Sequence, residues 1–164
     1  MLPRDLPARL ARDGYCGSDD ESEWRGLEMR VFSRPKIVKY IPCEREICIS
    51  IVSRGEPAVA LALGWWAVHR IECDDTGQFA ANRGDALPLT QQDARAVLEF
   101  VSTYREARRV VVQCHAGVSR SRSLAAALAE QFGLPYRWTV FNADMLAAIR
   151  RAAQDRGAGA GEEA

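Results

Sequence analysis

The stretch Val110-Val111-Val112-Gln113-Cys114-His115-Ala116-Gly117-Val118-Ser119-Arg120-Ser121 decides the reading of this chain. Arg109-Val110-Val111-Val112 is a β-branched run of the length of a buried central strand. From Ser121 the chain continues Arg122-Ser123-Leu124-Ala125-Ala126-Ala127-Leu128-Ala129-Glu130-Gln131-Phe132, a strong helix pattern stopped by Gly133 and Pro135. A strand passing through a short loop into a helix predicts an α/β fold, with a central, largely parallel sheet flanked by helices on both faces. The loop then falls at the C-terminal end of its strand, where open α/β sheets bind ligands.

Five residues separate Cys114 from Arg120 in that loop. A loop entering a helix N-terminus aims backbone N–H groups at one spot, and the helix dipole favours negative charge there. Gly117 lets the backbone curl, and Arg120 offers a planar fork to two phosphate oxygens. The same positive field favours the thiolate of Cys114, the nucleophilic form. A thiolate beneath a bound phosphoryl group can attack phosphorus and form a cysteinyl-phosphate. Ser121 can then donate a hydrogen bond to the departing sulfur.

At these residues the chain resembles the cysteine-dependent protein tyrosine phosphatase superfamily, and most closely its dual-specificity branch. Nucleophile, loop glycine, arginine and following serine are all present between a strand and a helix. The resemblance covers about residues 29–153, with Asn142-Ala143-Asp144-Met145-Leu146 similar to the last helix of the family. It implies a phosphatase-like fold and hydrolysis of a phosphomonoester without metal or other cofactor. Cys114 would be the nucleophile. His115, Ala116, Gly117, Val118, Ser119 and Arg120 would bind the phosphate, and Ser121 would assist the sulfur. The family's general acid is an aspartate on a loop after an earlier strand. Ile71-Glu72-Cys73-Asp74-Asp75-Thr76-Gly77 is similar to that segment, so Asp75 is the expected acid, with Asp74 the second choice.

One departure concerns the residue before the cysteine, histidine in the family and Gln113 here. The expectation is an active Cys114 whose thiolate is less strongly favoured. Gln113 also keeps open an inactive phosphate-binding module that recognises phosphorylated partners. Sulfur transfer of the rhodanese type fits less well, because of the five-residue spacing and the trailing serine. No lysine lies between Cys114 and Arg120, whereas phosphoinositide-directed relatives often carry them there. The resemblance therefore implies a phosphotyrosine or phosphoserine/threonine protein substrate. A small phosphorylated metabolite or a phosphorylated RNA end are alternatives.

The chain has 164 residues, enough for one compact domain. Lys+Arg and Asp+Glu number 22 each, so no global charge favours nucleic acid or an anionic membrane. No apolar run is long enough to span a bilayer, and the N-terminus lacks the apolar core of a secretion signal. Five cysteines without a Cys-x-x-Cys pair, and two histidines, argue against a zinc site or a disulfide framework. The expected setting is a reduced cytoplasm.

Residues 1–28 read as a flexible, polar arm, 29–153 as the phosphatase-like domain and 154–164, rich in Gly, Ala and Glu, as a disordered tail. Within the domain the pattern predicts strands near Met29-Arg30-Val31-Phe32, over 47–52 and over 65–73, with short helices over 35–40 and 58–63. His69 reads as a structural histidine in its strand. Residues 78–89 read as a rim loop, followed by a helix opened by Thr90-Gln91-Gln92-Asp93 as a capping box. Val97, Leu98, Val101 and Tyr104 share one face of that helix. The basic run Arg105-Glu106-Ala107-Arg108-Arg109 reads as its solvated end. Thr139 or Asn142 would cap a final helix. Ser119 is expected to bond within the loop, His115 to shape the pocket lip and Arg122, on the first turn of the helix, to be a surface or packing residue.

Overall fold

A computed structural model of the chain describes residues 27–77, 84–134 and 139–159. The arm read over 1–28 lies outside these residues except at its end, where Leu27 packs on the core and Glu28 already belongs to a strand. The middle of the rim loop and the connection 136–138 also fall outside.

Four strands form one all-parallel sheet: β1 (Glu28–Ser33), β2 (Glu46–Val52), β3 (Ala67–Glu72) and β4 (Arg109–Cys114). Their order across the sheet is β1-β4-β2-β3, so the valine run of β4 is central, flanked on both sides. The alternation of strand side chains divides the core. Val110 and Val112 join Ile47, Ile49 and Ile51 on one face, while Val111 and Cys48 point to the other. Burying both faces is why β4 reads as continuous apolar residues rather than as an alternating pattern.

Three helices cover the first face: α2 (Gln91–Thr103), α3 (Arg120–Phe132) and α4 (Ala143–Gly159), after the four-residue α1 (Arg34–Ile37). Val97, Leu98 and Val101 of α2, Leu124 and Leu128 of α3, and Met145 and Ile149 of α4 fill this core. Thr90 opens α2 as the capping pattern predicts, its side chain accepting the Asp93 N–H. The second face is covered by α1 and by extended chain. Ile37, Tyr40 and Val59 pack there with Trp65 beside them.

The short helix expected over 58–63 does not form. Val59 is pinned into the second core and its carbonyl accepts from Arg70 Nη1 at 3.2 Å, so tertiary contacts draw this segment out. The final helix also runs beyond 153, through residues assigned by composition to a disordered tail. Asp155 pairs with Arg95 at 2.8 Å, and Arg156 donates to Ser102 Oγ at 3.3 Å, which ties those last turns to α2.

Arg109 corrects the reading of its cluster as a solvated helix end. It is 1% exposed and belongs to β4. Its guanidinium is paired with buried Glu46, donates to Tyr40 Oη at 3.2 Å and reaches Glu28 at 2.9 Å. Tyr40 in turn donates to Glu46 at 2.7 Å. Burial first, and then the Glu46 carboxylate, push the Tyr40 hydroxyl well above its usual range. This network closes the N-terminal end of the sheet. Cys43 is disulfide-bonded, which corrects the expectation of wholly reduced cysteines, since an odd count still leaves room for a pair; Cys48, Cys73 and Cys114 are free thiols. Among the described residues no helix is long and apolar enough to cross a membrane.

Candidate active site

Parallel strands deliver all their C-terminal ends to one edge. The segments after β2, β3 and β4 meet there around a cleft of about 440 Å³. Ser53 and Glu56 follow β2, Asp75 follows β3, and Cys114, His115, Ala116, Val118, Ser119 and Arg120 come from the end of β4 and the start of α3.

The loop from Cys114 to Arg120 wraps around the sulfur. Cys114 Sγ lies 3.1 Å from Ser121 Oγ and accepts the Gly117 N–H at 3.3 Å. Gly117 takes φ of 69°, and a Cβ on it would fall 2.7 Å from the backbone nitrogen of Ser33. Only glycine lets the loop pass this close to the end of β1. The Arg34 N–H donates to His115 O at 3.0 Å and Arg122 Nε donates to Gly117 O at 3.1 Å, so the loop is braced from both sides. Arg122, half-buried, therefore braces the loop, which answers to the packing alternative of its two expected roles. His115 is exposed on the cleft wall, in the place expected of a lip residue.

Arg120 is 6% exposed and held along one edge. Its Nη1 donates to Ser53 Oγ at 2.9 Å and to the Cys73 carbonyl at 3.0 Å. Its buried Nε has no hydrogen-bond partner among the described residues. A buried guanidinium N–H left unmatched is costly unless a ligand oxygen completes it. A planar fork fixed at one nitrogen and unmatched at another suits a tetrahedral oxyanion.

The two candidate aspartates have different surroundings. Asp74 accepts the Leu87 N–H at 3.0 Å and the Arg54 N–H at 3.1 Å, and lies 3.9 Å from the Arg54 guanidinium. The Leu87 amide foremost, with the Arg54 amide and charge, holds its carboxyl below the usual carboxylate range. These bonds tie Asp74 into loop structure, while Asp75 lines the cleft. Asp75 Oδ1 accepts from Ser119 Oγ at 2.9 Å, Gly77 N at 2.9 Å and Asn142 Nδ2 at 3.1 Å. Ser119 thus bonds outside its loop, to the aspartate, contrary to the expectation of a bond within it. A Cβ on Gly77 would fall 2.4 Å from Phe141 O and 2.9 Å from Ser119 Oγ, so this turn seats only with glycine. Asn142 also accepts the Met145 N–H at 3.1 Å, which makes it the cap of α4 as well as a brace for Asp75.

Gln113 is buried beneath the loop, its Oε1 accepting from Ser50 Oγ at 2.8 Å across adjacent strands. It does not line the cleft. Cys73 is also buried, and burial pushes its thiol up to about 12. At neutral pH it remains a thiol.

Ser53, Glu56 and Asn142 were not legible as site residues from motif alone. Position immediately after a strand of a parallel sheet could have nominated Ser53 and Glu56, but only once the strand order was known. Among the described residues, no three His, Cys, Asp or Glu side chains gather as a metal site. No family model, curated protein or solved structure matches the chain.

Proposed function

We propose that the protein hydrolyses phosphomonoesters through a cysteinyl-phosphate, acting on phosphotyrosine or with dual specificity on phosphorylated proteins, as the protein tyrosine phosphatase superfamily does. The observation that carries this reading is the sulfur of Cys114 at the cleft, cradled by the Gly117 N–H and Ser121 Oγ, beside an Arg120 fork whose Nε lacks a partner among the described residues.

In the first step Cys114 Sγ attacks phosphorus, the S–P bond forms and the bond from phosphorus to the ester oxygen breaks. Asp75 supplies the proton that the leaving oxygen takes, producing an alcohol or phenol. In the second step water attacks phosphorus, the S–P bond breaks and Asp75 takes the proton back. The products are the free thiolate and inorganic phosphate. Arg120 and the loop backbone stabilise charge on the equatorial oxygens, so most of the catalysis is positioning and electrostatics. Ser121 stabilises the sulfur as it leaves. This reading places the protein in reducing surroundings such as the cytoplasm, where a catalytic thiolate is sustained; the Cys43 disulfide, of a kind that persists in oxidising compartments, weighs against that location.

Hydrolysis of p-nitrophenyl phosphate by the wild-type protein and by Cys114→Ser tests the reading. Wild type turns over and the variant does not. A wild-type protein that binds phosphopeptides but releases no phosphate refutes hydrolysis and leaves a binding module.

A further inference from the structure

The cleft carries a carboxylate that this mechanism does not use. Glu56 lies on the wall, in the turn that follows β2. That turn holds it in place: the Glu56 N–H donates to Ser53 O at 3.0 Å, and the Ser53 N–H reaches back to Glu56 Oε2 at 3.4 Å. Arg34 Nη1 stands 4.0 Å from the same oxygen, with side chains 32% and 40% exposed. A pair so wet and so long offsets little of the Glu56 charge. Ser53 is also the residue whose hydroxyl accepts from Arg120. One short turn therefore positions both the guanidinium suited to a phosphate and an anion on the same wall.

The consequence concerns what surrounds the phosphate on a substrate. A second anionic group entering the cleft meets Glu56 as a like charge, whereas a cation meets an opposite one. Among the described residues lining the cleft, Arg120 is the sole arginine or lysine, and its Nη1 is already engaged by Ser53 and Cys73. Among the described residues, the cleft lining thus offers no second lysine or arginine to receive another phosphate, and the nearby Arg34 already faces Glu56.

We infer that Glu56 is a specificity-determining residue that selects phosphorylated protein segments with lysine or arginine beside the phosphorylated residue, and disfavours segments flanked by acidic residues. The inference rests on the hydrolytic reading above and adds a substrate class to it.

Two phosphotyrosine peptides test it, identical except that the residues flanking the phosphotyrosine are arginine in one and glutamate in the other. The quantity read is the ratio of their kcat/KM values at low salt, so a change in common catalytic power cancels. Wild type favours the basic peptide by about five-fold, the scale of a partly exposed charge pair. Glu56→Gln, which keeps an oxygen to accept the Ser53 N–H, brings the ratio close to one, and Glu56→Lys reverses it. Added salt lowers the wild-type ratio. A ratio unchanged by Glu56→Gln, or a wild-type protein that favours the acidic peptide, overturns the assignment. Absence of turnover on both peptides and on p-nitrophenyl phosphate marks failure of the hydrolytic reading instead. The ratio of the two peptides' dissociation constants, in wild type and Glu56→Gln, then decides the role of Glu56 on the same terms.

Discussion

Replacing Ser119 with alanine tests whether Asp75 acts as an acid held in position by the phosphate-side loop. The Ser119 hydroxyl is one of three donors to Asp75 Oδ1, the others being Gly77 N and Asn142 Nδ2. Its loss need not disturb the helix. The Ser119 side chain makes no capping bond to α3, and the Ser123 N–H bonds to the Ser119 carbonyl, which alanine retains. A hydrogen bond to a charged group contributes about 1.5–3 kcal/mol. Asp75 is only half-buried and keeps two donors, which places the effect near the lower end, about 1.5 kcal/mol, or roughly tenfold in rate. The assay is kcat across a series of aryl phosphates. Phenyl phosphate, whose leaving group needs a proton, should lose about tenfold. Esters of strongly acidic phenols, which depart as anions, should lose little. The dependence on leaving group therefore steepens. An equal loss across the series would assign Ser119 to phosphate binding, and no loss at all would refute the link between its hydroxyl and the acid.

Ser53→Ala removes one of the two acceptors that orient Arg120 Nη1. Affinity for inorganic phosphate as a competitive inhibitor should weaken about five-fold, a bond of about 1 kcal/mol, and unchanged inhibition would dismiss Ser53 as a positioning residue. At the other end of the sheet, Glu46→Gln leaves the buried Arg109 guanidinium without its buried anionic partner. Loss of about 3–5 kcal/mol is expected, a fall in Tm of roughly 10 °C, read by calorimetry; a shift of a degree or two would show that Glu28 suffices. His69 stacks on Phe100 with ring centroids 5.2 Å apart, and its burial holds it neutral, below its usual pKa. The unfolded chain then binds a proton that the native one does not, so this contribution is present above about pH 6.5 and is lost as the pH falls below it. Urea unfolding at pH 7 and pH 5 should show wild type losing more stability than His69→Phe, and parallel losses would contradict that assignment.

The local junction was legible in the chain because its signals are local. A valine run, a glycine in the loop and an alanine-rich helix stopped by Gly133 predict strand, loop and helix over 109–132 from propensity and periodicity alone, and β4 and α3 occupy that stretch. The spacing from Cys114 to Arg120 was equally local, as was the cap at Thr90. The choice between Asp74 and Asp75 was not, because both follow the same strand and differ only in what the fold brings to them.

Contacts from distant segments were decided by the tertiary structure. Ser53 and Asn142 join the site because the strand order β1-β4-β2-β3 sets the end of β2 beside the end of β4, and because α4 packs against α3. Tertiary contact also overrode composition in both directions. It drew 58–63 out of a helix to bury Val59, and it carried α4 past residue 153 through the bonds of Asp155 and Arg156. Arg109 shows the same limit: a basic residue in a basic run reads as solvated until Glu46 is found beneath it. The amino-acid sequence by itself determined the thiol, the guanidinium and the bend between them, since neighbours along the chain set those. Which carboxylate, hydroxyl and amide complete the cleft depended on the packing of segments tens of residues apart, a property of strand order rather than of any one stretch.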